Sequence, residues 1–233
     1  MSKETRMPDE SYRKNVRCPH CGQRFDTVLV RSFQPDSAAL RALLDSSLNC
    51  PNCPNCKQSF RVETGQLIYK DPEAGFFLMQ SEEDSDLESI AELEQELDSL
   101  ASEIAWQENL PRPIVRLVFN REDLIEKIFL QQRGIDDRLI EYAKFQLFQN
   151  TGGQRLLPQQ HRLLFDFSNS DRDKMQFFVF GRESGKPEAS LHLPMQDFRK
   201  MQEEFASSAE LQKELDRLFP GCQVNVENLY DEK

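Results

Sequence analysis

Cys18-Pro19-His20-Cys21-Gly22 and Cys50-Pro51-Asn52-Cys53-Pro54-Asn55-Cys56 decide how the first third of this 233-residue chain is read. Each contains thiols separated by two residues, the spacing of a zinc knuckle. Two such pairs supply the four soft ligands of a closed tetrahedral site. The second stretch holds two overlapping frames. Phe25 stands four residues after Cys21 and Phe60 four residues after Cys56, whereas Lys57 stands four residues after Cys53. Matching the knuckles by this packing residue selects Cys18, Cys21, Cys53 and Cys56 as ligands of a structural Zn²⁺ and leaves Cys50 spare. The frame pairing Cys50 with Cys53 is the alternative. Lys57 also stands where the first knuckle has Gly22, at a turn position that favours positive φ. The second turn is therefore expected to be strained or completed differently.

Around the knuckles the pattern is that of strands. Phe25, Thr27, Val28, Leu29, Val30 and Phe33 predict a strand over 24–33. Asp36 or Ser37 can cap a short helix at 37–47, with Leu40, Leu43 and Leu44 on one face. Strands are expected at 60–62, 67–69 and 76–79, the last two joined by the turn Asp71-Pro72-Glu73-Ala74-Gly75. Residues 1–80 thus read as a zinc ribbon with an inserted helix, preceded by a mobile tail over 1–12.

The net charge of −11 is unevenly placed. Residues 1–80 carry 11 Lys/Arg against 9 Asp/Glu, residues 81–110 none against 11, and residues 111–233 carry 18 against 20. The acidity therefore belongs to one segment, and no part has the basic excess that marks a nucleic-acid binder. No apolar run approaches the roughly 20 residues of a membrane span. The first residues lack an apolar signal region, so a cytosolic, reducing compartment is expected, in which paired thiols bind metal rather than form disulfides.

Residues 81–110 form a connector. Ile90, Leu93, Leu97, Leu100 and Ile104 recur at spacings of three and four, giving an amphipathic helix over 84–107 started by Asp84 or Ser85 and ended by Pro111 and Pro113. The stripe fits either a face packed on residues 111–233 with the acids in water, or docking on a basic, grooved protein partner. Residues 111–233 read as an α+β domain with a hairpin-rich sheet. Strands are expected at 114–119, 162–167, 176–180, 189–192 and 223–226. Asn120 caps a first helix that Gly134 closes, and Asp136 caps a second. Thr151-Gly152-Gly153 is a loop, and helices near 195–206 and 208–218 finish the core.

These residues resemble the CpXC-domain family of bacteria and archaea. The likeness rests on the CPHC pair with Gly22 and Phe25, Leu48-Asn49, Tyr69-Lys70-Asp71-Pro72, Glu126-Lys127-Ile128, Gly134-Ile135-Asp136-Asp137-Arg138, and Glu141 with Lys144. It implies a ligand register of Cys53 and Cys56 for the second pair and carries no assigned reaction. Cys50 and Lys57 depart from the family pattern.

Other candidate sites have simpler explanations. His20 points out of a short loop, and His161 and His192 lie in or beside strands with no nucleophile or carboxylate in a recognisable arrangement. Asp136, Asp137 and Glu141 invite a Mg²⁺ or catalytic reading. Capping by Asp136, the helix N-terminus beside Asp137 and an offsetting Lys144 account for them at lower cost, and no catalytic residue is assigned. Arg13, Lys14, Arg17, Arg24, Arg31 and Arg61 lend the ribbon some basic character, but four thiolates with Zn²⁺ contribute −2 there. The reading is a non-enzymatic interaction or scaffolding module with structural zinc. A nucleic-acid-associated ribbon is the alternative, and an enzyme with an unrecognised C-terminal site the third. The sequence assigns no role to Cys50 or Cys222.

Overall fold

The structure, a computed structural model, describes residues 9–81, 87–108, 111–149 and 156–230. It is α+β, with two sheets and six helices among the described residues. Two compact units, Met1–Ile125 and Glu126–Lys233, divide the chain.

The first unit is built on a five-stranded sheet of order β1-β2-β3-β4-β5. β1 (Glu10–Arg17) and β2 (Arg24–Phe33) are antiparallel, with the first knuckle as their connection. Residues 10–12 were expected in a mobile tail and no strand was expected at 13–17. Here the structure corrects the reading: only Val16 of β1 is buried, so no apolar alternation marks the strand, and pairing with β2 creates it. Residues 1–8 of the expected tail lie outside the described residues.

α1 (Ala38–Leu44) starts where Ser37 Oγ accepts the Leu40 N–H at 3.0 Å, and it buries Ala39, Leu40 and Leu43. β3 (Gln66–Asp71) pairs parallel with β2 only through Ser32–Ile68 and Phe33–Tyr69, and antiparallel with β4 (Phe76–Ser81) throughout. Tyr69 is fully buried, with the Phe33 ring centroid at 5.6 Å and that of Phe76 at 6.3 Å. No strand forms at 60–62; a single bridge, Asn52–Ser59, precedes it.

α2 (Leu87–Glu108) is the acidic helix; the expected cap residues Asp84 and Ser85 lie outside the described residues. β5 (Ile114–Val118), expected to open the C-terminal part, instead pairs parallel with β4. α2 is thus a crossover within the first sheet and packs on β5. Leu97 and Ala101 are buried, whereas Leu100 of the expected stripe is 46% exposed. The small Ala101, one position on, faces inward in its place.

α3 (Arg121–Gln132) leads into the second unit. The Asp123 N–H donates to Asn120 Oδ1 at 2.8 Å at its start. Gly134, at φ 66°, ends it with the Ile135 N–H on the Leu130 carbonyl. α4 (Asp137–Gln149) follows, with Asp136 Oδ1 accepting the Arg138 N–H. The Thr151-Gly152-Gly153 loop lies outside the described residues.

The second sheet is an antiparallel meander of β6 (His161–Asp166), β7 (Lys174–Gly181) and β8 (Pro187–Pro194). β7 alternates strictly, burying Met175, Phe177 and Val179. Leu139, Ile140 and Ala143 of α4 share the core of Met175 and Phe177 with Phe198 and Phe205 of α5 (Met195–Ser207) and Leu215 of α6 (Ala209–Leu218). The expected strand at 223–226 does not form; its place is taken by an extended stretch and a 3₁₀ turn, Val226–Leu229.

Candidate metal centre

The two knuckles have the same local geometry. In the first, the Cys18 N–H donates to the Gln23 carbonyl at 2.8 Å and the Gly22 N–H to the Cys18 carbonyl at 2.9 Å. In the second, the Cys53 N–H donates to the Gln58 carbonyl at 2.9 Å and the Lys57 N–H to the Cys53 carbonyl at 3.0 Å. Gly22 has φ 75° and Lys57 φ 63°. Lysine thus adopts the left-handed conformation that glycine adopts freely, and its ammonium bonds the Pro54 carbonyl at 2.8 Å. Lys57→Gly is expected to stabilise the protein by about 0.5–1 kcal/mol, the left-handed cost relieved less the extra chain entropy of glycine. Urea denaturation of the metal-loaded protein measures it, and an unchanged or lower midpoint contradicts it.

The two equal turns bring the four sulfurs together, the first thiol of each knuckle against the second of the other. Cys18 Sγ lies 3.7 Å from Cys56 Sγ and Cys21 Sγ 3.6 Å from Cys53 Sγ, and all four sulfurs lie within 4.8 Å of one another. Four thiolates at about 2.3 Å from a tetrahedral Zn²⁺ are separated by about 3.8 Å, so the arrangement fits a metal ion of that size. Phe25 and Phe60, the residues that aligned the two knuckles, pack edge to face with centroids 6.1 Å apart beside Val16, Leu29 and Val62. Cys18 and Cys53 are buried, while Cys21 is exposed and Cys56 half-buried. Cys50 is outside the cluster, with its Sγ turned to the Ser46 and Leu48 carbonyls at 3.4 and 3.5 Å.

The sulfurs do not hold their protons alike. The Gln23 backbone N–H, the Asn55 side chain and the neighbouring thiols bring Cys21 down to about 6. At Cys56 the Gln58 N–H acts in the same direction, but burial and the three neighbouring sulfurs outweigh it and push the thiol up to about 12. Metal binding requires thiolates, so loading at neutral pH should release at least the Cys56 proton, and affinity should rise with pH. Calorimetric titration in buffers of different ionisation enthalpy would show this; a buffer-independent heat would contradict it.

The family model for CpXC proteins matches residues 16–144, which include both knuckles and run to Lys144. The chain belongs to the CpXC family. No curated protein and no solved structure gives a significant match to the chain.

Within this CpXC protein the sequence reading had given Asn49 no role except in the resemblance. Asn49 Oδ1 accepts the Val30 N–H at 2.8 Å, and its Nδ2 donates to the Val30 carbonyl at 3.0 Å. Its own carbonyl accepts the Val62 N–H at 2.9 Å. One buried side chain therefore closes the edge of β2 where β3 diverges, and ties the second knuckle to it. Its φ of 58° lies in the left-handed region, which asparagine enters more readily than most residues with a Cβ.

Asp136, Asp137 and Glu141 do not form an open site. Asp136 is held by Arg138; Asp137 pairs with Lys127 at 3.0 Å; Glu141 pairs with Lys144 at 2.9 Å and Lys127 at 3.3 Å. His161 accepts the Leu157 N–H through Nδ1 at 3.0 Å, and His192 is exposed on β8. Among the described residues no helix is long and apolar enough to cross a membrane.

Proposed function

We propose that the four-thiol cluster holds a structural Zn²⁺ and that the protein is a non-enzymatic interaction module. The closed donor set carries this reading. Four sulfurs within 4.8 Å of one another complete a tetrahedron and leave no position for a water or substrate, so the ion stabilises a fold instead of activating a ligand. The compartment that suits this reading is a reducing, cytoplasmic one, in which paired thiols bind metal rather than form disulfides.

The partner surface we assign to α2. The helix buries Leu97 and Ala101 and leaves Glu92, Glu96, Asp98 and Glu103 exposed, in a segment without a single basic residue. Such a face fits a basic protein surface. Cross-linking in cells tests the reading: lysines at Glu92, Glu96 and Glu103 should remove specific cross-links, and an unchanged set of cross-linked proteins rules the helix out.

A second reading has an observation of its own. Arg13, Lys14, Arg17 and Arg24 are all exposed on the β1–β2 hairpin, with Arg17 directly opposite Arg24 next to the first knuckle. This basic rim supports a nucleic-acid role. Fluorescence anisotropy with single- and double-stranded oligonucleotides between 50 and 200 mM salt should then show affinity falling steeply with salt, an effect of about 10³–10⁵ for 6–10 phosphate contacts and less for fewer. No binding at the lowest salt eliminates this reading.

A further inference from the structure

The expected last strand fails to form because charged side chains have taken its backbone groups. Lys127 Nζ donates to the Val224 carbonyl at 2.6 Å, and Glu141 Oε2 accepts the Val226 N–H at 3.0 Å. Both side chains are buried, and their opposite charge is matched to the acceptor and donor they hold. Three further contacts read side chains of the same stretch. Val224 and Val226 are 2% exposed. Glu227 bridges Arg182 at 3.0 Å and Arg162 at 3.5 Å. Tyr230 packs between Phe145 and Phe148, with centroids at 6.1 and 5.6 Å, and its hydroxyl accepts from Gln149 Nε2 at 3.2 Å.

We propose that Lys127 and Glu141 are a clamp for an extended peptide, filled in this structure by the chain's own Cys222–Tyr230. Displacement of that strap opens the groove to a partner segment of the same chemistry. That chemistry is two small β-branched residues two apart, an acid directly after the second and an aromatic three residues later.

Three observations carry the proposal beyond ordinary packing. The bonds from the clamp go to backbone atoms, which any extended chain offers, while the side chains are met separately, Val224 and Val226 by the hydrophobic clusters, Glu227 by Arg182 and Tyr230 by Phe145 and Phe148; this division of labour is that of a peptide receptor. The clamp residues lie within the CpXC match, which ends at 144, whereas the strap lies outside it. The strap also pairs with no strand among the described residues and begins at Pro220-Gly221, where Gly221 has φ 77°, a pivot that a residue with a side chain would strain.

Two measurements on the full-length chain decide the matter. In native-state hydrogen exchange, the amides of Val224–Tyr230 should exchange together and at least ten-fold faster than those of Met175–Val179 in β7. Equal protection makes the strap part of the core and overturns the proposal. The second uses Val226→Asp with Tyr230→Ala, which alters the strap and leaves the clamp intact. By fluorescence anisotropy a labelled peptide of residues 221–230 should bind the folded variant at least ten-fold tighter than wild type, and a Glu227→Lys peptide should lose that gain. A folded variant that binds no better than wild type also overturns the proposal.

Discussion

Cys53→Ser is expected to abolish metal binding and unfold the knuckle end of the first unit, while Cys50→Ser leaves both intact. Cys53 belongs to either reading of the CPNCPNC stretch, so its loss removes a ligand whichever frame is used. Its sulfur is fully buried against that of Cys21 at 3.6 Å. A serine hydroxyl there is a hard, poorly ionised substitute for a thiolate. Magnitudes decide how far the damage spreads. Structural zinc sites contribute an apparent 10–16 kcal/mol or so at neutral pH. Val16, Leu29 and Val62, the three buried aliphatic residues beneath the knuckles, contribute about 5–9 kcal/mol together. The metal is therefore the larger share, and this end of the sheet should not hold without it. Elemental analysis should find one zinc per chain in the wild type and in Cys50→Ser, and none in Cys53→Ser. Hydrogen exchange should show protection lost across 16–62. Retained zinc in Cys53→Ser, or lost zinc in Cys50→Ser, refutes the ligand assignment.

That the four-thiol cluster could be placed from residues alone follows from how local its determinants are. A knuckle is four residues of backbone, a turn with one positive φ, and an aromatic at a fixed distance, all within a span of eight. β2 and α1 were legible for similar reasons: β2 has a run of β-branched and aromatic residues, and α1 has Ser37 three residues before Leu40, whose N–H it accepts. The capping of α3 by Asn120 and of α4 by Asp136 was equally local.

What could not be read was long-range. β1 has one buried residue and exists because β2 needs a partner. The unit to which β5 belongs is set by a parallel pairing with β4 across the whole of α2, and nothing within Ile114–Val118 announces that neighbour. The stretch 223–226 has the alternation of a strand, yet its hydrogen bonds go to Lys127 and Glu141, 97 and 85 residues away. Asp137 and Glu141 are visible in the sequence as neighbouring carboxylates, but not Lys127 on another helix, which joins them.

Lys144→Met is expected to cost the second unit about 3–5 kcal/mol, the range for breaking a buried ion pair by removing one partner. Its ammonium bonds Glu126 at 2.8 Å and Glu141 at 2.9 Å, with all three side chains 2–3% exposed. Glu126 in turn accepts the Phe165 N–H at 2.6 Å, so the pair also fixes β6. The buried group comprises three carboxylates, Glu126, Asp137 and Glu141, and two ammonium groups, those of Lys127 and Lys144. Methionine keeps the volume of the lysine stem but leaves three anions facing one cation. Burial is what sets the magnitude. Arg138 makes ion pairs as short, at 2.6 and 2.7 Å, but Asp216 is 67% exposed, and Arg138→Met should cost less than about 1 kcal/mol. The remaining Lys127 stays charged. Burial lowers its pKa, but Asp137 and Glu141 outweigh burial and hold it above the ordinary 10.5. A lysine raised on folding stabilises fully below its unfolded pKa and loses that contribution as pH climbs through the folded one. The wild type should therefore keep this contribution at pH 7 and lose it only above about 10.5. Urea denaturation of both variants at pH 7, and of the wild type at rising pH, separates the cases. Equal losses for Lys144→Met and Arg138→Met would mean the buried group contributes no more than a surface pair.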